Sequence, residues 1–202
     1  MSDLVFECRH GEDIATRIEP LAALRIRVFR EWPYLYDGDL DYERDYLKTY
    51  VNAERSLAFL VFDGDDLVGA TTALPLVDEE AAFRAPLEQA GFDPERVFYF
   101  GESILLPEYR GRGLGHRFFD ERETWAAEQG GFDTTCFCAV QRPADHPARP
   151  ANYKPLDEFW RSRGYTPRPD VMAHYAWPDV GADEETEKPL MFWTRPLRPE
   201  EP

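Results

Sequence analysis

The chain has 202 residues, of which 43% are hydrophobic and 14% aromatic, and this composition is not that of a disordered segment. The length predicts one domain over residues 1–202, or at most a core with one small insertion. Its 39 acidic and 23 basic residues leave a formal net charge of -16, which disfavours general binding to nucleic acid or an anionic membrane. A solubilising surface accounts for the excess acid, and a field that attracts a cationic substrate is the alternative.

The N-terminal stretch has no signal-peptide pattern, no apolar run approaches the roughly 20 residues that span a bilayer, and the 3 cysteines show no disulfide pattern. These features predict a cytoplasmic location. In chain order, the first half predicts a strand at 4–9, a helix that begins at Pro20, a helix at 42–50, a hairpin around a turn at 63–66, and a helix at 79–90.

The second half predicts a long apolar central strand, a helix, a strand, a proline-rich loop, a short helix and two closing strands. The central strand is predicted at 97–106, the helix at 114–129 and the next strand at 132–140. The proline-rich loop covers 141–155, the short helix 155–165, and the two closing strands 174–177 and 190–195. Because strands joined by a helix crossover usually pair in parallel, the strands at 97–106 and 132–140 are expected to do so within a mixed sheet.

The sequence "RGRGLG", residues 110–115, places three glycines between the central strand and the next helix. Alternate glycines let several N–H groups point into one concavity, and the helix start adds unpaired N–H groups and the positive end of its dipole. The turn is therefore a candidate anion site that fits a pyrophosphate, with Arg110 and Arg112 at its rim.

Two nucleotide-binding motifs fail on this turn. A P-loop needs Lys and then Ser or Thr after its last glycine, where this chain has His116 and Arg117. In the dinucleotide motif, counted from Gly111, the third glycine would fall on His116. A glycine-rich turn without a ligand stays open as an alternative.

The residues Arg110-Gly111-Arg112-Gly113-Leu114-Gly115 match the Arg/Gln-x-x-Gly-x-Gly/Ala signature of the GNAT superfamily of N-acetyltransferases, which the chain resembles in element order over most of its length. The resemblance implies an α/β (α+β) fold: a mixed, mostly antiparallel central sheet of about seven strands with helices on both faces. It also implies acetyl-CoA as acyl donor, an amine as acceptor, and no metal.

The resemblance further implies which residues hold the donor. The pyrophosphate would lie on the turn and the pantetheine along the central strand, like an added strand. This arrangement requires the central strand to splay from the next one around 138–140. The implied donor-binding residues are Ser103, Ile104, Leu105, Arg110, Gly111, Arg112, Gly113, Leu114, Gly115, His116 and Asn152.

Glu102 is the candidate general base. It lies inside the apolar stretch "YFGESILL", where an ionised group is costly unless it is paired or functional. An amine must lose a proton before it attacks a thioester, and a carboxylate can accept that proton. An ion pair between Glu102 and an arginine is the alternative.

For the proton donor, the resemblance implies a tyrosine in an Asn…Tyr…Gly pattern, but aligning Gly164-Tyr165 puts Trp160 at that position. An indole cannot deliver a proton in this way. Tyr153, beside Asn152, is the candidate acid instead, and simple packing in its loop is the alternative.

Four residues are candidates for the wall of an acceptor pocket: Tyr34, Tyr36, Arg142 and His146. They lie in an aromatic, acidic loop and in the proline-rich loop, which leaves the sheet where acceptors enter in the family. Ordinary surface loops or core packing are the alternatives. Cys136 and Cys138 are expected to pack in the core, because two thiols alone make a poor zinc site.

The sequence thus predicts an acyl-CoA-dependent N-acyltransferase that moves acetyl from acetyl-CoA to a primary amine of a small molecule or protein by direct attack in a ternary complex. The alternative is a catalytically degenerate acyl-CoA-binding or sensor module, since the usual tyrosine is missing. A homodimer through the C-terminal strands is common among relatives, and the identity of the acceptor stays open.

Overall fold

A computed structural model describes residues 4–197 of the chain as a sheet covered by helices on both faces. The helices are α1 (Ile18–Phe29), α2 (Leu40–Asn52), α3 (Ala81–Gln89), α4 (Leu114–Gln129) and α5 (Asp157–Ser162). The strands are β1 (Val5–Arg9), β2 (Leu57–Asp63), β3 (Asp66–Pro75), β4 (Val97–Leu105), β5 (Thr134–Val140), β6 (Thr166–Pro178) and β7 (Glu185–Pro196).

The seven strands lie in the order β1-β2-β3-β4-β5-β7-β6. Every neighbouring pair is antiparallel except β4 and β5, which are parallel and are joined through α4. The predicted mixed, mostly antiparallel sheet is therefore confirmed, as is the parallel pair.

The two faces of the sheet carry different helices. Phe119 of α4 packs against Phe100 of β4 and against Phe159 of α5, so α4 and α5 share one face. Phe83 of α3 packs against Tyr99 of β4, the neighbour of Phe100, and α1 contacts both α2 and the central strands. Because successive strand residues point to opposite faces, α1, α2 and α3 cover the second face.

Both closing strands are longer than the predicted 174–177 and 190–195. A proline cannot donate to a sheet ladder, and β6 contains Pro167 and Pro169. β6 is the edge strand, where a proline on the outer side needs no partner. A register shift against β7 between Arg168 and Met172 absorbs the irregular segment.

β4 carries a bulge in its middle. Its pairing with β3 runs from Thr71 opposite Ser103 to Ala73 opposite Phe100, so β4 contributes one residue more than β3 over this interval. A bulge bends its strand and increases the local twist. The bend falls directly after the residues where β4 pairs with β5.

Candidate functional site

The two central parallel strands separate into a wedge. β4 and β5 pair only over Val97–Tyr99 and Thr134–Cys136. Beyond these residues β5 continues against β7, and β4 continues against β3 as far as Leu105. Within residues 4–197, the β5-facing edge of β4 at 103–105 therefore has no strand partner. The opening begins slightly earlier than the expected 138–140.

The bulge at the point of the wedge requires a glycine. A Cβ placed on Gly101 would lie 1.8 Å from Tyr50 Oη and 2.8 Å from Thr72 Oγ1. Tyr50 is fully buried and cannot simply swing away. Gly101 therefore lets α2 pack directly against the bulge.

The bulge also decides where Glu102 points. Phe100 contacts α4, and strict alternation would direct Glu102 to that same face. Instead its Oε2 lies 2.6 Å from Nη1 of Arg25, on α1 and the opposite face. A bulge re-aims side chains in this way, because the extra residue reverses the alternation.

Arg25 joins two buried carboxylates. Its Nε donates to Glu43 and its Nη1 pairs with Glu102, and these acids are only 0% and 6% exposed. Burial alone would lower the pKa of Arg25, but Glu102, Tyr46 and Glu43 together raise it well above its ordinary value. Neither Glu43 Oε1 nor Glu102 Oε1 has a hydrogen-bond partner among the described residues. The cluster thus holds one cation and two carboxylates.

A cavity of about 220 Å³ lies against this cluster and reaches both sides of the wedge. Gly101 and Glu102 line it from β4, and Cys138 lines it from β5. Aromatic rings form much of its wall, among them Tyr36, Tyr42, Tyr46, Tyr99, Tyr175 and Trp177. Its acidic lining consists of Asp37, Asp39, Glu43, Glu102 and Glu185, and Arg25 is its one basic residue among those described.

Tyr34 and Tyr36, two of the predicted pocket residues, both line this cavity. Burial is the largest cause that raises the pKa of both phenols. The next largest cause, which also raises the pKa, is Cys138 for Tyr34 and Glu43 for Tyr36. Tyr99 Oη lies 3.2 Å from Cys138 Sγ, and burial raises the pKa of that thiol to about 12. Both predicted core cysteines, Cys136 and Cys138, are buried and free.

Arg142 and His146, the other two predicted pocket residues, do not line the cavity. Arg142 donates to both carboxylate oxygens of Asp179, at 2.8 and 2.7 Å, and to the carbonyl of Tyr34 at 2.6 Å. It thereby fastens the loop after α1 to the end of β6. The ring of His146 lies 5.1 Å from that of Trp32.

The candidate acid lies outside the cavity lining as well. Tyr153 packs edge-on against Trp32, with ring centroids 5.8 Å apart. The pKa of Tyr153 is raised, mainly by burial and secondly by the charge of Asp157. It is close enough to Tyr34 to raise the pKa of that phenol. Asn152 is exposed in the same loop. Trp160 packs against Trp193 in the core on the other face, 5.1 Å away.

The glycine turn forms an open cradle at the end of β4. Gly111 and Gly113 have φ of +75° and +82°, the left-handed region, and a Cβ on either would meet nothing within 4 Å. Within the described residues, the backbone N–H groups of 111–115 have no hydrogen-bond partner. Such an array of free N–H groups at a helix start suits a phosphate.

The side chains around the cradle are held in place. Arg110 donates to the carbonyl of Leu105 at 3.1 Å and pairs with Glu31 at 2.9 Å. Arg112 donates to the carbonyl of Glu108 at 2.8 Å. His116 is exposed and its ring packs edge-on against Phe159, 4.9 Å away.

The sequence reasoning missed Arg25 and Glu43. The signal was present: Arg25 lies on the face of α1 that buries Leu21, and Glu43 lies on the face of α2 that buries Leu47 and Tyr50. A charged residue at an inward helical position is rare unless it is paired. Which charge it meets depends on how the two helices pack.

Over the described residues, no helix is long and apolar enough to cross a membrane, and no group of three or more His, Cys, Asp or Glu side chains is arranged to hold a metal ion. The family model described as "Acetyltransferase (GNAT) family" matches residues 24–154, well over half of the chain. None of the curated proteins matches the chain significantly.

Solved structures share the fold at low sequence identity. An aminoglycoside 6'-N-acetyltransferase complexed with coenzyme A is 14% identical, with a TM-score of 0.58 over 98% of this chain and 99% of that chain. Arabidopsis thaliana NAA60, in complex with a bisubstrate analogue, is 13% identical, with a TM-score of 0.59 over 95% and 98%. An acetyltransferase of the GNAT family from Streptococcus pneumoniae is 12% identical, with a TM-score of 0.56 over 97% and 100%.

Proposed function

The chain belongs to the acetyltransferase (GNAT) family, and from this premise we propose that it is an acyl-CoA-dependent N-acetyltransferase acting on a primary amine. One observation carries the proposal. The wedge between β4 and β5 has the N–H cradle at the outer end of β4 and the Glu102 cavity at its point. A donor that extends along β4 would therefore bring its acyl end to the cavity.

The chain has groups that suit each part of the donor. The N–H groups of 111–115 would bind the pyrophosphate, and the free edge of β4 at 103–105 would bind the amides of the pantetheine. Leu114 is buried and fixes the start of α4 beneath the cradle. The relative solved with coenzyme A supports a CoA-based donor for this fold.

Glu102 is the proposed base. The Glu102 carboxylate would take a proton from the bound ammonium group, and Arg25 on Oε2 keeps the carboxylate oriented. The neutral amine would attack the thioester carbonyl, so that a C–N bond forms, the C–S bond breaks, the attacking nitrogen releases its second proton to solvent, and the sulfur leaves as thiolate. That thiolate then needs a proton or a nearby dipole.

Two phenols are candidates to supply the proton. Tyr153 is the one expected from the sequence, and Tyr34 lines the cavity and lies close to Tyr153, Glu102 and Cys138. A phenol is protonated at neutral pH, so either hydroxyl can donate to the thiolate. Tyr153→Phe and Tyr34→Phe, compared for the rate of thiolate release, separate the two.

The experiment that tests the function is a thiol-release assay. The protein is mixed with acetyl-CoA and a panel of primary amines, and free CoA thiol and the acetylated amine are both quantified. We expect amine-dependent release in equal amounts of the two products. Tight CoA binding without amine-dependent release would contradict the enzymatic proposal.

A second candidate function is a non-catalytic acyl-CoA-binding module. The observation that favours it is the packing of Trp160 against Trp193, because the sequence pattern aligns Trp160 with the tyrosine expected from the family. In the same assay a module would bind CoA and release no thiol. A cytoplasmic location and a homodimer through the C-terminal strands stay predictions.

A further inference from the structure

We infer that the acceptor is a compact organic cation, a primary amine in its ammonium form with an apolar body, rather than a polypeptide. The inference rests on the proposed function for the identity of the cavity as the acceptor site. Three features of the cavity support it: the acidic residues of its lining, the aromatic rings of its wall, and the hydrogen-bonded segments that close it. None of the three depends on how the donor binds.

The depth of the cavity has an excess of negative charge. Glu43 and Glu102 pair there with Arg25, Glu102 Oε1 has no hydrogen-bond partner among the described residues, and the lining adds the carboxylates of Asp37, Asp39 and Glu185. Arg122, on the other face of the sheet, donates to the carbonyl of Glu102 at 3.4 Å. A buried carboxylate oxygen without a partner is costly, because desolvation is not offset by a hydrogen bond. One ammonium group bound against the cluster would offset this excess of negative charge.

The cavity wall suits the rest of such a cation. Tyr36, Tyr42, Tyr99 and Trp177 present ring surface, and Tyr42 and Tyr175 hydrogen-bond each other through their hydroxyls across the cavity. Aromatic faces attract cations and pack against apolar groups. A volume of about 220 Å³ exceeds the roughly 150 Å³ of an engineered cavity that holds benzene, so a phenyl ring with a short aminoalkyl chain fits.

The roof of the cavity excludes an extended polypeptide. The loop after α1 bridges to the end of β6 through Tyr36 and Asp179, and Asp37 N donates to Pro178 O at 3.0 Å. Val180 N donates to Leu35 O at 2.7 Å, and Arg142 fastens the same two segments. An extended chain could pass between these two segments only through an open groove, and here they are hydrogen-bonded to each other.

The first test is a charge series on the wild-type protein without CoA. Calorimetry compares 2-phenylethylamine with its neutral isostere 2-phenylethanol and with the anion 3-phenylpropionate at pH 7. We expect the amine to bind at least about tenfold more tightly than the alcohol, and the anion to give no binding heat. Equal or tighter binding of the alcohol would overturn the inference.

A matched pair of variants locates the cation. Glu43→Gln is expected to remove the preference of the protein for the amine over the alcohol. Glu123→Gln, which loses a carboxylate paired with Arg163 and Arg195 on the other face, is the control and is expected to retain that preference. Loss of the preference in the control alone would contradict the assignment. Should Glu43→Gln not fold, the wild-type charge series still decides.

The last comparison separates this inference from the proposed function. CoA affinity is measured on the same protein, and acetylation of 2-phenylethylamine is compared with that of an unstructured peptide that has a free N-terminus. CoA binding together with a higher kcat/KM for the peptide would overturn the inference and leave the enzyme. Amine binding without CoA binding would overturn the proposed function and leave the cation site.

Discussion

Glu102 and Glu79 are both buried carboxylates, but they have different partners. Glu102 lies 2.6 Å from Arg25 Nη1, whereas Glu79, 3% exposed, accepts the N–H of Glu80 and has no ion pair among the described residues. Burial therefore raises the pKa of Glu79 to about 8 from its ordinary value of 4.5. One carboxylate is held in place by a cation, and the other keeps its proton near neutral pH.

The first prediction concerns Glu102→Gln. The amide keeps the shape of the side chain but cannot accept the proton, so we expect the acetyl-transfer rate to fall about 100-fold with CoA affinity unchanged. Glu108→Gln, the same change at an exposed position near the cradle, is the control. A full rate for Glu102→Gln across pH 6 to 9, with the melting temperature retained, would remove Glu102 from the mechanism.

The second prediction concerns Glu79→Gln and pH. The folded state holds the Glu79 proton up to about pH 8, and the unfolded state releases it near 4.5. Rising pH therefore lowers the free energy of unfolding between these values, by about 1.4 kcal/mol per pH unit from this group. Urea unfolding at pH 5, 6.5 and 8 should show a shallower decline for Glu79→Gln, and parallel profiles would contradict the raised pKa.

At the scale of elements, the strand β4 and the turn that follows it set up both halves of the site. The bulge parts β4 from β5 and turns Glu102 toward α1, and the turn before α4 gathers free N–H groups. Both features rely on glycines for different reasons. Gly101 provides room for Tyr50, and Gly113 adopts a left-handed conformation.

The third prediction tests the packing at the bulge. Gly101→Ala places a Cβ against Tyr50, and we expect it to lower the free energy of unfolding by about 1–3 kcal/mol. Tyr50→Phe removes the atom that the Cβ would meet at 1.8 Å, so the double variant should regain part of this loss. Strictly additive losses would show that the contact with Tyr50 is not the cause.

The fourth prediction tests the cradle. Gly113→Asp places a carboxylate where the pyrophosphate would bind, and we expect the Kd for acetyl-CoA to rise at least about tenfold. Gly91→Asp is the matched control, because Gly91 has a φ of +88° and equally open surroundings at the end of α3. Calorimetry that finds equal affinities for the two variants would rule out this location for the pyrophosphate.

At the scale of the whole molecule, the sheet separates the helices beside the cavity from the helices beside the cradle. α1 and α2 supply Arg25 and Glu43, and the loop between them joins β6 to close the cavity. α4 contributes the cradle and packs with α5 on the opposite face. The wedge between β4 and β5 connects the two faces, which is why the site lies in the middle of the sheet.

The sequence by itself determined the element order, the parallel crossover through α4, the glycine turn and the family resemblance, because these depend on local periodicity and on residues adjacent in the chain. It also marked Glu102 as a charge in an apolar strand. The ends of β6 were not predictable, since prolines are compatible with a strand only at an edge, and the position of a strand in the sheet is not a local property.

Only the tertiary structure decided the partners of Glu102. The bulge turned its side chain to the face of Arg25, and the packing of α1 on α2 brought Glu43 to the same guanidinium. Arg142, expected at the pocket wall, instead ties two segments across the roof. These outcomes depend on contacts between residues far apart in the chain, whose geometry is fixed by side-chain packing and the need to pair buried charges, and no short stretch of sequence contains that information.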